Sequence, residues 1–218
     1  MIWIDGETGR RGDKETGGKR NSKLKYHPAT VQCRMFFRYI DDDIKLSLSI
    51  PQYAEELFKL TDRNRDFLKK WLPWLDRTTR VSDTKDFLEA QLLRFQQGEA
   101  LHVTIFDRDK IAGVLGYNEI DRASKIGYLG YWLGREYNGR GIMTRSVREL
   151  IKIGFNYYAL NRIDLRCAVA NSRSRAIPER LGFTNEGIIR QAEKLSDRYV
   201  DHVVYGLLKD EYKNSPPS

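Results

Sequence analysis

Residues 128–158 read YLGYWLGREYNGRGIMTRSVRELIKIGFNYY, and this stretch constrains the fold more than any other. An apolar strand from Tyr128 to Leu133 runs into a loop containing Asn138-Gly139-Arg140-Gly141, and a helix follows from about Ile142 to Tyr158. Met143, Val147, Leu150, Ile151, Gly154 and Phe155 fall on one helical face, while Arg145, Arg148 and Lys152 lie elsewhere, the pattern of a helix packed on a sheet. A glycine-bearing turn that feeds a helix N-terminus is an anion site. The first N–H groups have no intrahelical acceptor, and the helix dipole favours negative charge there. A Gly-x-Gly pair alone is common in unrelated loops. Two phosphate motifs are excluded here: no third glycine stands at the dinucleotide spacing, and no Gly-Lys-Ser/Thr follows.

The flanking sequence places this unit in a mixed α/β fold. IKLSLSI, Ile44 to Ile50, alternates as a half-buried strand, and Pro51 opens a helix. An interrupted helical region, broken at Pro73, carries Phe67, Leu68, Trp71, Leu72, Trp74 and Leu75, either core packing or one wall of a cleft. Ser82 is expected to cap a helix from Asp83 to Gln97. Strands at Leu101–Phe106, Ile111–Ile120 and Lys125–Leu133, joined by short turns, read as an antiparallel meander. After the long helix come a strand (Arg162–Val169), a short helix (Asn171–Leu181) and two final strands (about Phe183–Lys194 and Tyr199–Leu208). Strand–helix–strand after a meander makes the central strands partly parallel.

Composition narrows the class. At 218 residues the chain suits one domain, with 40% apolar and 31% charged residues. No apolar run reaches the roughly 20 residues that span a bilayer, and the N-terminus has no secretory apolar segment. Cys33 and Cys167 lie far apart and suggest neither a disulfide framework nor a metal site, as expected of reduced thiols in the cytoplasm. The first 34 residues hold eight lysines and arginines against four acids, which is half of the net charge of +8. They are expected to be a disordered extension ahead of a domain at 35–212, with 213–218 a flexible tail. A mildly basic enzyme that binds a polyanion explains this balance without a nucleic-acid partner.

Four segments, GYLGYWL (Gly127–Leu133), NGRGIMT (Asn138–Thr144), AVANSRSRAIPERL (Ala168–Leu181) and Gly182-Phe183, together resemble the GNAT superfamily of acetyl-CoA-dependent N-acetyltransferases. The nearer likeness is to the branch of Rim-type ribosomal-protein N-terminal acetyltransferases. It extends from about Phe36 to Tyr212. One departure stands at Glu136, where the family often carries Gln or Arg. The resemblance implies a GNAT-like fold, a central mixed sheet with splayed strands flanked by helices, and acetyl-CoA as cosubstrate with no metal. It implies that the backbone near Trp132 and Leu133 holds the pantetheine arm and that the amides of Asn138, Gly139, Arg140, Gly141 and Ile142 hold the pyrophosphate. The Arg140 guanidinium is either a further phosphate contact or a solvated loop side chain.

Asn171 and Ser174 match the family's Asn-x-x-Ser. Locally they read as a helix cap and its third residue. The family reading makes Asn171 a ligand of the cofactor arm and Ser174 the acid that protonates the leaving thiolate. For the general base, Glu119 on the strand before the cleft is the best carboxylate, with a strand-end surface acid as the plainer reading. His27 lies in the tail, and His102 and His202 lie within strands. The acceptor implied is a primary amine, foremost a protein N-terminal α-amine, with a small amine (polyamine, amino sugar or antibiotic) as the alternative. Homodimers are common in the family. A noncatalytic basic RNA-associated protein, using the N-terminal arm, is the rival from a different class.

Overall fold

The computed structural model describes residues 37–195 and 198–213. The expectations for residues 1–34, for 214–218 of the tail and for the tip of the last hairpin lie outside the described residues. Eight strands form one mixed sheet in the order β1-β2-β3-β4-β5-β6-β8-β7. They are β1 (Phe37–Tyr39), β2 (Ile44–Leu48), β3 (Leu101–Asp107), β4 (Lys110–Asp121), β5 (Ile126–Leu133), β6 (Arg162–Ala168), β7 (Thr184–Leu195) and β8 (Arg198–Leu208). Only β5 and β6 pair in parallel. The β3–β4 turn is a two-residue hairpin in which Arg108 and Asp109 both take positive φ, 48° and 66°, the geometry that matches strand twist.

Among the described residues six helices accompany these strands, the last following β8: α1 (Ala54–Arg63), α2 (Arg65–Leu68), α3 (Val81–Gln96), α4 (Ile142–Asn156), α5 (Ser172–Arg180) and α6 (Lys209–Lys213). Proline opens the short 3-10 turns at Pro51–Tyr53 and Pro73–Arg77. The start of α3 differs from the sequence expectation. The helix begins at Val81, so Ser82 lies inside it and caps nothing. Asp83 reaches back instead and accepts from the backbone N–H groups of Thr79 (2.9 Å) and Arg80 (3.1 Å). A carboxylate in the first turn thus closes the helix start by bonding back to the two residues before it, where the hydroxyl was expected to bond forward into the helix.

The helices cover both faces of the sheet. Adjacent strand residues point to opposite faces, and on β3–β4 His102 meets Phe87 of α3 while Tyr117 donates to the Leu150 carbonyl of α4 at 2.9 Å. Tyr117 is fully buried and lies between two glycines. A Cβ at Gly127 would sit 2.7 Å from its ring, and one at Gly154 would sit 2.2 Å from its hydroxyl. The ring thus sets how closely α4 approaches β5. Val147, Leu150, Ile151 and Phe155 of α4 are at most 2% exposed and join Leu115, Leu129, Ile163 and Leu165 in the core. Burial of that stripe fixes the helix, and therefore its N-terminus, on the sheet.

Candidate active site

The parallel pair β5–β6 runs only from Ile126–Leu129 against Arg162–Leu165. Beyond it, Gly130 to Leu133 remain paired to β4, while Arg166 to Ala168 remain paired to β8. Each strand is held on its outer side, so the two diverge. The edge of Gly130–Leu133 that faces the gap has no ladder partner. A cleft of about 1270 Å³ opens there, lined among others by Trp132, Leu133, Asn138, Asn171, Ser174 and Glu119.

The loop after β5 is built for backbone display. Asn138 donates from Nδ2 to the carbonyls of Gly134 (3.0 Å) and Arg135 (3.2 Å), which turns the chain back on itself. Gly139 and Gly141 then take φ of 79° and 71°, a left-handed conformation that side chains with a Cβ adopt only with strain. Gly141 is the N-cap of α4. Among the described residues, the N–H groups of residues 139–144 donate to no acceptor. Six consecutive free donors at a helix N-terminus are an arrangement that can receive an anion. Arg140 has another occupation: its Nη1 and Nη2 donate to Asp107 at 2.6 and 3.0 Å. Glu136, the departure from the family pattern, pairs with Arg63 at 2.7 Å and accepts from Asn64 at 3.2 Å. Asn64, buried at the α1–α2 junction, also accepts from the Arg135 N–H at 2.9 Å and so ties the loop to the helices. No sequence pattern pointed to Asn64, because its role depends on two elements meeting in space.

Across the cleft, Asn171 caps α5 by accepting from the Ser174 N–H at 3.2 Å. The local reading of the pair therefore holds. The half-buried Ser174 side chain meets Tyr131 of β5: Ser174 Oγ lies 3.3 Å from the phenol oxygen, and the phenol donates to the Ser174 carbonyl at 2.9 Å. Burial pushes the Tyr131 phenol above its usual range. Cys167 lies beside Ser174, and burial pushes its thiol up to about 11 despite that hydrogen bond and the nearby Arg175. The thiol is protonated at neutral pH and is a poor nucleophile.

Besides Asp83 at the start of α3, three carboxylates line the cleft. Glu119 stands just past a bulge in β4, opposite Tyr128, and is exposed. Asp164 is taken up by Arg162 (3.1 Å) and Arg166 (2.9 Å). Glu193 faces His202 Nε2 at 3.3 Å, and His202 is the β8 partner of Ala168, which follows Cys167. Glu193 therefore belongs to the Ser174 side of the cleft. Its place depends on a break in the β7–β8 register between Ile189 and Glu193, which strand alternation does not reveal. His102, buried in the lining of the cleft, bonds Ser49 Oγ at 3.0 Å, and burial lowers its pKa to about 4.

The aromatic segment after α1 divides between two tasks. Leu68 and Leu75 enter the core, at 4% and 0% exposure. Phe67, Trp71 and Trp74 line the cleft, and Trp74 meets Trp132 with ring centroids 6.2 Å apart at 49°. Arg135 lies over the Phe67 ring at 5.1 Å. Among the described residues, no group of three or more His, Cys, Asp or Glu side chains forms a metal site.

Comparison with known proteins agrees with this geometry. Residues 46–184 match the family model described as acetyltransferase (GNAT) domain. The ribosomal-protein-serine acetyltransferase of Escherichia coli (strain K12) is 29% identical over 171 residues, covering 78% of this chain and 96% of that protein. The solved structure of RimL, a ribosomal L7/L12 α-N-protein acetyltransferase in complex with coenzyme A, superposes with a TM-score of 0.78 at 30% identity, covering 80% of this chain and 99% of that one. The microcin C7 self-immunity acetyltransferase MccE, solved with acetyl-CoA and AMP, gives 0.75 at 35% identity, with 78% and 94% covered. A splayed parallel pair, a free-amide helix N-terminus and a family match over most of the sheet converge on one conclusion: the chain belongs to the GNAT family of N-acetyltransferases.

Proposed function

We propose that this enzyme transfers the acetyl group of acetyl-CoA directly to a protein N-terminal α-amine, with a ribosomal protein as the acceptor. As a GNAT enzyme it uses acetyl-CoA, and the residues present suit that cosubstrate. The free amides of 139–144 offer donors to a pyrophosphate, and the unpaired edge of Gly130–Leu133 offers backbone groups to an amide-bearing arm. Trp132 and Leu133 are the edge residues we assign to the arm. Asn138 is assigned to shape the turn, Gly139 to Ile142 to hold the phosphates, and Asn171 to close the far side.

The observation that carries the direct mechanism is the pairing of Ser174 with Tyr131 beside a protonated Cys167. In the reaction a neutral amine nitrogen forms a bond to the thioester carbon, the C–S bond breaks, and its electron pair goes to sulfur. Ser174 Oγ–H supplies the proton that the thiolate takes, and its oxygen regains one through cleft water from the group that accepts the amine proton, so that in net one proton passes from nitrogen to sulfur. The proton lost by the amine goes to a cleft carboxylate, directly or through water. Glu119 and Glu193 are the candidates, since Asp164 is already held by two arginines. A buried thiol with a raised pKa favours this single displacement over an acetyl-cysteine intermediate.

The ribosomal acceptor rests on the likeness to the E. coli ribosomal-protein-serine acetyltransferase and to RimL. We assign the catalytic unit to residues 35–212 and the enzyme to the cytoplasm; among the described residues no helix is long and apolar enough to cross a membrane. A second reading, a small amine with a flat aromatic part, is favoured by the Trp74–Trp132 pair and by the likeness to MccE with its bound AMP. Mass spectrometry of a mixed acceptor panel separates the two. N-terminal peptides of ribosomal proteins are expected to gain an acetyl group on the α-amine, ahead of polyamines, aminoglycosides and aminoacyl-nucleotide analogues. Acetylation confined to the small amines would overturn the proposal.

A further inference from the structure

We propose that Asp107 is a positioning residue for the acetyl-CoA site, holding Arg140 away from the phosphates and fixing the turn between Gly139 and Gly141. The inference rests on the reading above that the N–H groups of residues 139–144 receive the pyrophosphate. Asp107 ends β3 and is 6% exposed. Its two carboxylate oxygens accept from the two Arg140 amino groups at 2.6 and 3.0 Å, a parallel fork on a rigid sheet element. Arg140 is the one residue between two glycines of positive φ, and such a turn left to itself samples many conformations. Pinning its middle residue selects one of them.

A second tether acts on the same loop. Arg145, in the first turn of α4, donates to Asp41 and to the Arg140 carbonyl, the latter at 3.2 Å. Asp43 in turn accepts from Arg108, which adjoins Asp107, at 2.8 Å. The acidic run Asp41-Asp42-Asp43 at the β1–β2 turn had no evident purpose in the sequence. In the fold, Asp41 and Asp43 supply counter-charges to the arginines around the cofactor loop. The positive charge of Arg140 is thereby neutralised before any ligand arrives. A cradle of N–H groups binds an anion well when its shape is set in advance, and these ion pairs set it.

Two roles for Arg140 predict effects of opposite sign. If its guanidinium were a phosphate ligand, Asp107 would compete with the phosphate, and Asp107→Asn would tighten binding. If it is a clasp, Asp107→Asn loosens the loop and weakens binding. Calorimetric titration of the full chain with acetyl-CoA distinguishes them. Asp107→Asn and Arg140→Gln are each expected to raise Kd about 10-fold, and the double variant is expected to be no weaker than the weaker single, since both break one contact. At saturating acetyl-CoA, kcat of Asp107→Asn is expected to stay within about twofold. Arg140→Lys serves where Asp107→Asn does not fold: a lysine keeps the charge and loses the fork, so a clasp predicts weakening comparable to that of Arg140→Gln. Unchanged or tighter binding by Asp107→Asn, an affinity retained in Arg140→Lys, or single effects that multiply in the double variant would each overturn the clasp. Gly141→Val tests the cradle separately. If that variant binds like the unaltered chain, the phosphate reading fails and the clasp with it.

Discussion

The two halves of the cleft are built on different principles. The half we assign to the donor, β5 with the loop and the start of α4, presents backbone: an unpaired strand edge, two left-handed glycines and six N–H groups. The half we assign to the acceptor, the aromatic segment after α1 and the β7–β8 hairpin, presents side chains: Phe67, Trp71 and Trp74 from the one, Glu193 and His202 from the other. It is also the less regular half, with breaks in the β7–β8 register at Asn185/Gly187 and Ile189/Glu193. A donor common to a whole family is recognised by groups that every residue carries. An acceptor that differs between members must be recognised by groups that substitution changes.

That contrast can be broken from either side. Gly141→Val has the largest expected effect: a β-branched residue at φ 71° distorts the cradle, and Kd for acetyl-CoA is expected to rise about 100-fold, read by calorimetry. Ser174→Ala comes next, with kcat reduced about 100-fold while binding of acetyl-CoA is unchanged, seen in steady-state kinetics. His102, in the cleft lining against Phe87, links the fold to pH. Its folded pKa of about 4 lies below the ordinary 6.5, so the unfolded chain binds the extra proton as pH falls from 6.5 toward 4. The associated stability is fully present above pH 6.5 and is lost through that window, by about 2 kcal/mol at pH 5. Urea unfolding at both ends of the range is expected to show the slope in the unaltered chain and to find it reduced in His102→Gln.

Smaller effects sharpen the division. Trp74→Ala is expected to raise KM for the acceptor about 10-fold and to leave acetyl-CoA binding within about twofold, since its ring meets the Trp132 side chain while the cofactor arm is assigned to the strand backbone. A comparable loss for both substrates would mean that the two halves are not separable. Cys167→Ala should change least, with turnover within about twofold, because a thiol at about 11 has no role in direct transfer. Abolished turnover together with a trapped acetyl-enzyme would contradict it.

The donor half was largely legible in the sequence. The strand, the glycine loop and the amphipathic helix of 128–158 lie within one stretch, and each is specified by local pattern. The single parallel pairing followed from strand–helix–strand order after a meander. What escaped depended on long-range meetings or on irregular backbone. Ser82 offered a good cap by type, yet the helix begins ahead of it and Asp83 bonds back to Thr79 and Arg80. Arg140 stood at the phosphate loop in sequence, but its partner Asp107 lies 33 positions away. Glu193 enters the cleft by way of a strand irregularity, and Asn64 by the approach of two separate elements.

The central claim is that acetyl-CoA is held by backbone N–H groups on a loop whose left-handed turns at 139 and 141 glycine adopts without strain. Paired calorimetric titrations of acetyl-CoA into the unaltered chain and into Gly141→Val test it most directly. The account predicts saturable one-site binding by the first and an affinity about 100-fold weaker in the second, with both chains folded to the same degree by circular dichroism. No binding by the unaltered chain, or equal binding by both, would contradict it.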